Sequence, residues 1–346
     1  MINKQSNVVT ILNMSSTQKS NLQLGYCCLN MYLRDLGIFC SRTCRLETIK
    51  RQGISYSYQL AHQNLKDLAC ILRWNNKNGI NLYRMSSEMF PFATHPDYYQ
   101  SYNLIQFQTT LEAIGKMAKQ YKQRLTFHPG QYNQLTSHRD SVVEKAIIDI
   151  DFHCKIMDMM KLDQQGVIVI HGGSKQDGQQ VALSRFVANF NKLTLSAQKR
   201  LVLENCELAY SIEDLLPMCQ KLSIPIVIDY HHHNINPGTM DLMDSTRLVI
   251  DIWRKRGITP LFHLSESRPE IQTTDNVTLR RAHSDYITQL PKELLKVVES
   301  EKISLDIEAK MKEQAVLVLY YNYKLYPVDN KYWWKISTNF TIHSRL

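Results

Sequence analysis

The chain of 346 residues is long enough for two ordinary domains or for one large α/β barrel. Hydrophobic residues at 44%, charged residues at 21%, and only 12 Gly and 10 Pro exclude a disordered, collagenous or low-complexity protein. Forty-one basic against 32 acidic residues give a net charge of +9, which favours a polyanionic partner, and no apolar run approaches the ~20 residues that span a bilayer.

Residues 1–21, rich in Ser, Asn and Gln, read as a weakly ordered tail without the continuous apolar stretch of a secretory signal. A cytoplasmic protein is expected, nucleoid-associated in a bacterium or nuclear in a eukaryote. Short β-branched or aliphatic runs then alternate with longer amphipathic stretches. The runs fall at 22–28, 80–85, 124–128, 167–171, 201–204, 225–229, 260–263 and 304–308. Helical patterns follow them at 58–78, 102–121, 141–161, 183–191, 212–222, 240–255, 291–299 and 310–320. This alternation demands a parallel sheet and suits a single α/β domain over 22–320, a closed (β/α)8 TIM barrel. An open doubly wound sheet is the alternative. Residues 321–346 form a C-terminal extension whose Tyr332-Trp333-Trp334-Lys335 is expected to pack outside the barrel, with stacking on nucleic acid as the other reading. The eight cysteines are dilute and show no CxxC pair. Cys40 and Cys44, the closest suggestive spacing, lack a partner cluster and read as a loop cysteine and a semi-buried one rather than zinc ligands.

Polar residues close nearly every predicted strand: Arg84, His128, His171, Glu204, Asp229, His263 and Glu308. In a barrel these ends converge on one face, where active sites of this fold lie. Of twelve histidines, His95, His128, His171, His231, His232, His263 and His283 lie at or just after strand ends, with His233 adjoining. Burying so many unpaired ionisable groups together is unfavourable, and bound metal removes the penalty. Imidazole and carboxylate donors without cysteine suit zinc, manganese or iron, in numbers that imply two or three ions. Multinuclear sites of this kind clamp the attacking and leaving oxygens of a phosphodiester, which points to phosphate ester hydrolysis. Sugar isomerisation on a dinuclear barrel site is the rival, against which the net charge speaks.

Six strings carry a family resemblance. Leu24-Gly25-Tyr26-Cys27-Cys28-Leu29-Asn30, Pro91-Phe92-Ala93-Thr94-His95-Pro96, His128-Pro129-Gly130-Gln131-Tyr132, Val169-Ile170-His171-Gly172-Gly173, Leu203-Glu204-Asn205 and Ile307-Glu308-Ala309-Lys310 resemble, in order, those of the UV damage endonucleases. The resemblance implies a TIM barrel related to the endonuclease IV class of abasic-site nucleases. It implies two or three divalent ions, manganese first, with zinc or magnesium as alternatives. The implied activity is nicking of double-stranded DNA immediately 5′ to pyrimidine dimers, with 6-4 photoproducts and abasic sites as further lesions, by a monomer with no membrane partner. An abasic-site endonuclease on the same scaffold is the near alternative, and a non-enzymatic DNA or metal binder a further one.

Carried over residue by residue, the resemblance implies a first metal subsite of His128, His171 and Glu204. Glu204 then bridges to a second, with Asp229, His263 and Glu308. Asp229-Tyr230-His231-His232-His233 fits a D-x-x-H-H pattern and makes His232 a third-subsite ligand with His283, leaving His231 and His233 behind the ligands. His95 matches a histidine near the scissile phosphate, and Lys310 and Lys312 are expected at phosphate or transition state. Catalytic roles thus fall to Glu204, His95 and Lys310. Gln131 and Tyr132 match a pair inserted into the duplex at the lesion, where a phenol ring can stack and an amide can pair with exposed base edges. Tyr26 and Asn30 match residues near the active site and the damaged nucleotides. One departure stands out: many family members carry a carboxylated lysine ligand two residues before the seventh-strand histidine, and this chain has Leu261. Asp285, Glu266 or a water is expected to replace the missing anion, Asp285 first because it lies two residues beyond His283.

Overall fold

The computed structural model describes residues 14–325. Eight parallel strands, β1 (Leu22–Cys27), β2 (Leu82–Met85), β3 (Arg124–Phe127), β4 (Ile168–His171), β5 (Leu201–Glu204), β6 (Ile226–Val227), β7 (Leu261–Leu264) and β8 (Ile303–Ile307), stand where the apolar runs predict them. Their hydrogen-bonded order is β6-β5-β4-β3-β2-β1-β8-β7. A parallel bridge between Asp229 and His263, with the His263 N–H donating to the Ile228 carbonyl at 2.9 Å, joins β6 to β7. The sheet is therefore a nearly closed TIM barrel, and the open doubly wound alternative falls away. Strands this short and this apolar are buried on both sides, as parallel sheets under crossover helices are.

Helices Ile54–Lys77, Gln108–Gln120, Asp140–Met159, Gln179–Phe190, Ile212–Leu222, Leu242–Lys255, Lys292–Val297 and Glu313–Tyr323 ring the barrel. Local chemistry sets several of their ends. Ser211 and Asp214 form a capping box before Ile212–Leu222, and Asp241 accepts from the amides of Met243 and Asp244 before Leu242–Lys255. Helix Gln108–Gln120 comes so near the chain at Met160 that a Cβ on Gly115 would lie 1.7 Å from the Met160 carbonyl oxygen, so only glycine fits. No helix among the described residues is long and apolar enough to cross a membrane.

Three expectations need correction. Part of the N-terminal tail is ordered: Ser15 and Gln18 form a capping box on helix Ser16–Asn21, and the Gln18 and Asn21 side chains donate to the carbonyls of Leu295 and Val298. The last helix starts and ends later than 310–320, because the amides of Lys310 and Met311 donate to the carbonyls of Ser284 and Asp285 rather than into the helix. Short helices Met31–Asp35, Leu46–Gln52, Leu195–Arg200, Tyr230–Ile235 and Val277–Arg280 are added, each too brief to show an apolar period. Residues 1–13 and Tyr332-Trp333-Trp334-Lys335 lie outside the described residues.

Strand alternation then builds the interior. Successive side chains point to opposite faces, so Ser304, Asp306 and Glu308 rise along one side of the lumen and Arg124, Thr126 and His128 along another. Near the strand starts Arg124 Nη1 donates to Ser304 Oγ at 3.1 Å, and above them Arg84 Nε lies 3.3 Å from Asp306 Oδ2. Glu308 and His128 end at the C-terminal mouth.

Candidate metal centre

Glu204 ends β5 and is 1% exposed. Its Oε2 lies 2.7 Å from His128 Nε2 and 3.9 Å from His171 Nε2; its Oε1 lies 3.1 Å from His263 Nδ1 and 3.4 Å from His232 Nδ1. Four imidazoles from separate βα units thus converge on one carboxylate. His263 Nδ1 is also 3.1 Å from Glu308 Oε1. Two sets of donor atoms fall within 4.8 Å of one another, His128, His171 and Glu204 in one and Glu204, Asp229, His263 and Glu308 in the other, with Glu204 common to both.

The histidines are oriented by the main chain. His128 Nδ1 lies 3.1 Å from the Pro129 carbonyl oxygen, His232 Nδ1 3.0 Å from that of Asn205, and His283 Nδ1 2.7 Å from that of Glu308. A carbonyl only accepts, so in each ring Nδ1 carries a proton and Nε2 is the nitrogen left free to face other partners. Metal-binding imidazoles are held in this way. The consequence is plain at His232, whose Nε2 faces Glu207 Oε2 at 3.6 Å. A proton on Nε2, or a cation in its place, can join that nitrogen to the carboxylate. Asp229 adds an oxygen of the same kind: Oδ1 accepts the His232 amide at 2.7 Å, while buried Oδ2 has no hydrogen-bond partner. Asn205 fixes Asp229 by accepting its amide at 2.8 Å and donating to its carbonyl at 3.1 Å.

The electrostatics describe a site that demands positive charge. Burial pushes the Glu204 carboxyl up, yet the imidazoles of His263, His171 and His128 outweigh it and hold it well below the usual range. Burial likewise opposes charge on His232, but Asp229, Glu204 and Glu207 raise it to about 11. On Glu308 burial is overcome by Arg84 and His263, which hold it well below its ordinary value. Three carboxylates and several imidazoles sharing so small a volume, with outward nitrogens pinned by main-chain carbonyls, could hold divalent ions through mixed oxygen and nitrogen donors once the rings lose their protons.

The other residues singled out in the sequence divide sharply. Gln131 and Tyr132 are exposed on the loop after β3, Tyr132 at 81%. Lys310 is exposed one turn of chain beyond Glu308. His95 lies on the loop after β2, against Phe92 and Tyr98, with Nδ1 accepting the Asp97 amide at 3.2 Å. Lys312 is turned inward, its Nζ 3.3 Å from Cys27 Sγ, so the expected phosphate contact does not hold for it. Tyr26 and Asn30 lie inside the fold. Both are wholly buried; Tyr26 OH donates to Asn75 Oδ1 at 2.6 Å, and Asn30 donates to Tyr26 OH and caps helix Met31–Asp35. Their polar atoms support β1 and its following loop, with no surface left for a nucleotide.

Around the third expected subsite, His231 rather than His232 has its ring beside His283, centroids 6.0 Å apart. Leu261 is wholly buried one layer beneath His263. Asp285 is exposed, and Glu266 engages the amides of Thr288 and Gln289. The carboxylate at His232 is that of Glu207, which also meets Arg281 at 3.2 Å. Glu207, Asn205 and Asp306 were given no role from the sequence; Asn205 carried a signal in the Leu203-Glu204-Asn205 string and Asp306 in its place two residues before Glu308 in a strand. Cys40 is buried with its Sγ 3.3 Å from Tyr83 OH, and Cys44 is half-buried.

Comparison with known proteins completes the description. The family model described as UV-endonuclease UvdE matches residues 22–331. A UV-damage endonuclease of Schizosaccharomyces pombe is 44% identical over 314 residues, covering 88% of this chain and 51% of that protein. A UV DNA damage endonuclease of Bacillus cereus is 33% identical over 265 residues, covering 76% of this chain and 81% of its own. The chain spans about half the length of the fungal relatives it matches. Among solved structures, SacUVDE superposes with a TM-score of 0.74 at 30% identity, covering 87% of this chain and 98% of that one. A xylose isomerase domain protein of Planctomyces limnophilus reaches a TM-score of 0.51 at 11% identity, covering 73% of this chain and 90% of that one, a likeness of fold alone.

Proposed function

The chain belongs to the UV-endonuclease UvdE family, and from that premise we propose that it is a DNA repair endonuclease, nicking double-stranded DNA immediately 5′ to pyrimidine dimers. 6-4 photoproducts and abasic sites are further substrates in this reading. The observation that carries it is the Glu204 carboxylate ringed by His128, His171, His232 and His263 at the barrel mouth.

Two or three divalent ions, manganese first and zinc or magnesium as alternatives, are assigned to these donors. His128, His171 and Glu204 would hold one, and Glu204, Asp229, His263 and Glu308 a second. His232 and Glu207 would hold the third, with Glu207 in place of the anion that Leu261 cannot provide, and His283 is assigned to it by the resemblance although its ring stands beside His231. Bound there, the ions supply Lewis-acid stabilisation of charge developing on the phosphodiester oxygens.

The chain's own residues do the rest. Arg84 pairs with both Asp306 and Glu308, so the Glu308 carboxylate is held at the mouth in its charged form. Asn205 fixes the Asp229 backbone and, through its carbonyl, the His232 ring. Lys310 and His95 are assigned to the phosphates flanking the cut. Tyr132 enters the helix at the lesion and Gln131 meets the bases opposite. A dimer already weakens stacking and pairing, so displacing it takes less energy than displacing normal bases, and that difference selects the lesion. The basic surface balance attracts the duplex without regard to sequence.

The test is an end-labelled duplex carrying one defined pyrimidine dimer, incubated with the protein and manganese. A single nick at the phosphodiester directly 5′ to the dimer is expected. Equal cutting of undamaged duplex, or none of either, overturns the reading, and preferential cutting of an abasic duplex reassigns the substrate.

A further inference from the structure

At the opposite end of the barrel, beside the strand starts, a cavity of about 360 Å³ opens, within the size range of small-ligand sites. Lys119, Lys122 and Lys161 line it with Arg124, and Asp163 is the one carboxylate in its wall. Arg124 begins β3 and is 8% exposed. Its Nε donates to the Gln165 carbonyl at 2.8 Å, and its Nη1 to the Thr259 carbonyl at 2.8 Å and to Ser304 Oγ at 3.1 Å. Its Nη2 is buried with no hydrogen-bond partner. All these acceptors are neutral, so among the described residues the guanidinium has direction but no ion-pair partner. Asp163 accepts the Gln165 amide at 2.9 Å, and among the described residues it makes no ion pair with Arg124, Lys119 or Lys122. Among the described residues, of the three lysines only Lys161 has an ion-pair partner, Glu112 at 3.2 Å.

We propose that this cavity binds an anion of the phosphate class, inorganic phosphate or the phosphate of a small monoester, with Arg124 at its floor and Lys119, Lys122 and Lys161 around it. A buried cation without a partner is unfavourable, and a tetrahedral oxyanion offers acceptors to a planar guanidinium and charge to the lysines. Burial pushes Arg124 down to about 9, opposed only by Asp163, and a bound dianion would act in the opposite direction. Gly115 belongs to the wall, and the close approach it permits between its helix and Met160 brings Lys119, Lys122 and Lys161 to one cavity. The strand starts face away from the Glu204 mouth, so the site is separate from the one assigned to DNA.

Isothermal titration of the full chain at constant ionic strength, with inorganic phosphate in one arm and a 5′-mononucleotide in another, tests the proposal. Lys119→Gln combined with Lys122→Asn removes two charges while keeping a residue that tolerates the positive φ of 53° at position 122. Saturable binding weakened about tenfold or more in this double variant is expected, with nicking unchanged. Arg124→Gln should abolish it; the double variant carries the test if that protein does not fold. Saturation by phosphate identifies the free ion as sufficient, and saturation by the mononucleotide alone identifies a monoester. Absence of saturable binding in both arms, or equal affinity in the wild type and the double variant, overturns the proposal.

Discussion

The two ends of the barrel are built from the same strands and carry opposite charge. β3 starts with Arg124 and is followed directly by His128; β8 brings Ser304 to one end and Glu308 to the other. At the mouth, carboxylates crowd imidazoles and the surplus is negative; at the strand starts, a guanidinium and lysines face one carboxylate and the surplus is positive. Between them Arg84 and Asp306 pair across the lumen and separate the two environments. The contrast teaches that a parallel barrel with period-2 alternation can set cation-seeking and anion-seeking sites a few residues apart on one strand, because each layer sees mainly its own neighbours.

The sharpest way to break the contrast is at its negative pole. Glu204→Gln removes the carboxylate shared by both donor sets and is expected to lower nicking on the order of 10³-fold or more, while binding to damaged duplex persists. Near-normal turnover would refute the assignment of the mouth. Arg84→Met attacks the divider, leaving buried Asp306 without its guanidinium and Glu308 with His263 alone. A loss of about 3–5 kcal/mol is expected in denaturant unfolding, and a change under 1 kcal/mol would show that the pair separates nothing.

Smaller changes sharpen the picture. Glu207→Gln should weaken the most loosely held manganese by about 10–100-fold in equilibrium dialysis, whereas Asp285→Ala should leave it unchanged; the reverse pattern would restore Asp285 as the substitute ligand. Tyr132→Ala should reduce the preference for damaged over intact duplex by about 1–3 kcal/mol, read in competition assays, with less effect on the rate at a bound lesion. Ser211→Ala, in a helix cap belonging to neither end, should lower stability by about 1 kcal/mol and leave metal binding and anion binding alone.

Much of the mouth was legible in the amino-acid order because the fold turns sequence position into spatial position. A polar residue closing an apolar run lies at a strand end, and strand ends converge, so His128, His171, Glu204, Asp229, His263 and Glu308 could be gathered without coordinates. What stayed hidden depends on side chains reaching across the chain. Glu207 sits in an irregular loop, and its approach to His232 follows from the turn of the short helix Tyr230–Ile235, which has no period to read. Asn205 acts through backbone atoms of Asp229, 24 residues away. Arg124, at the start of a strand, looked like an ordinary boundary residue, since only the packed barrel shows that its partners are all neutral. Tyr26 and Asn30 show the opposite case: resemblance carries a role to them, while the structure shows them buried and hydrogen-bonded to each other.

The most direct test of the central claim, that the Glu204 mouth works through bound divalent ions, is to measure metal per chain and nicking of a dimer-containing duplex together. The protein is first dialysed against chelator and then titrated with manganese. The account predicts that nicking vanishes on chelation, returns in step with occupancy, and shows no such return in Glu204→Gln. Full nicking by metal-free protein, or manganese uptake by Glu204→Gln equal to that of the wild type, would contradict it.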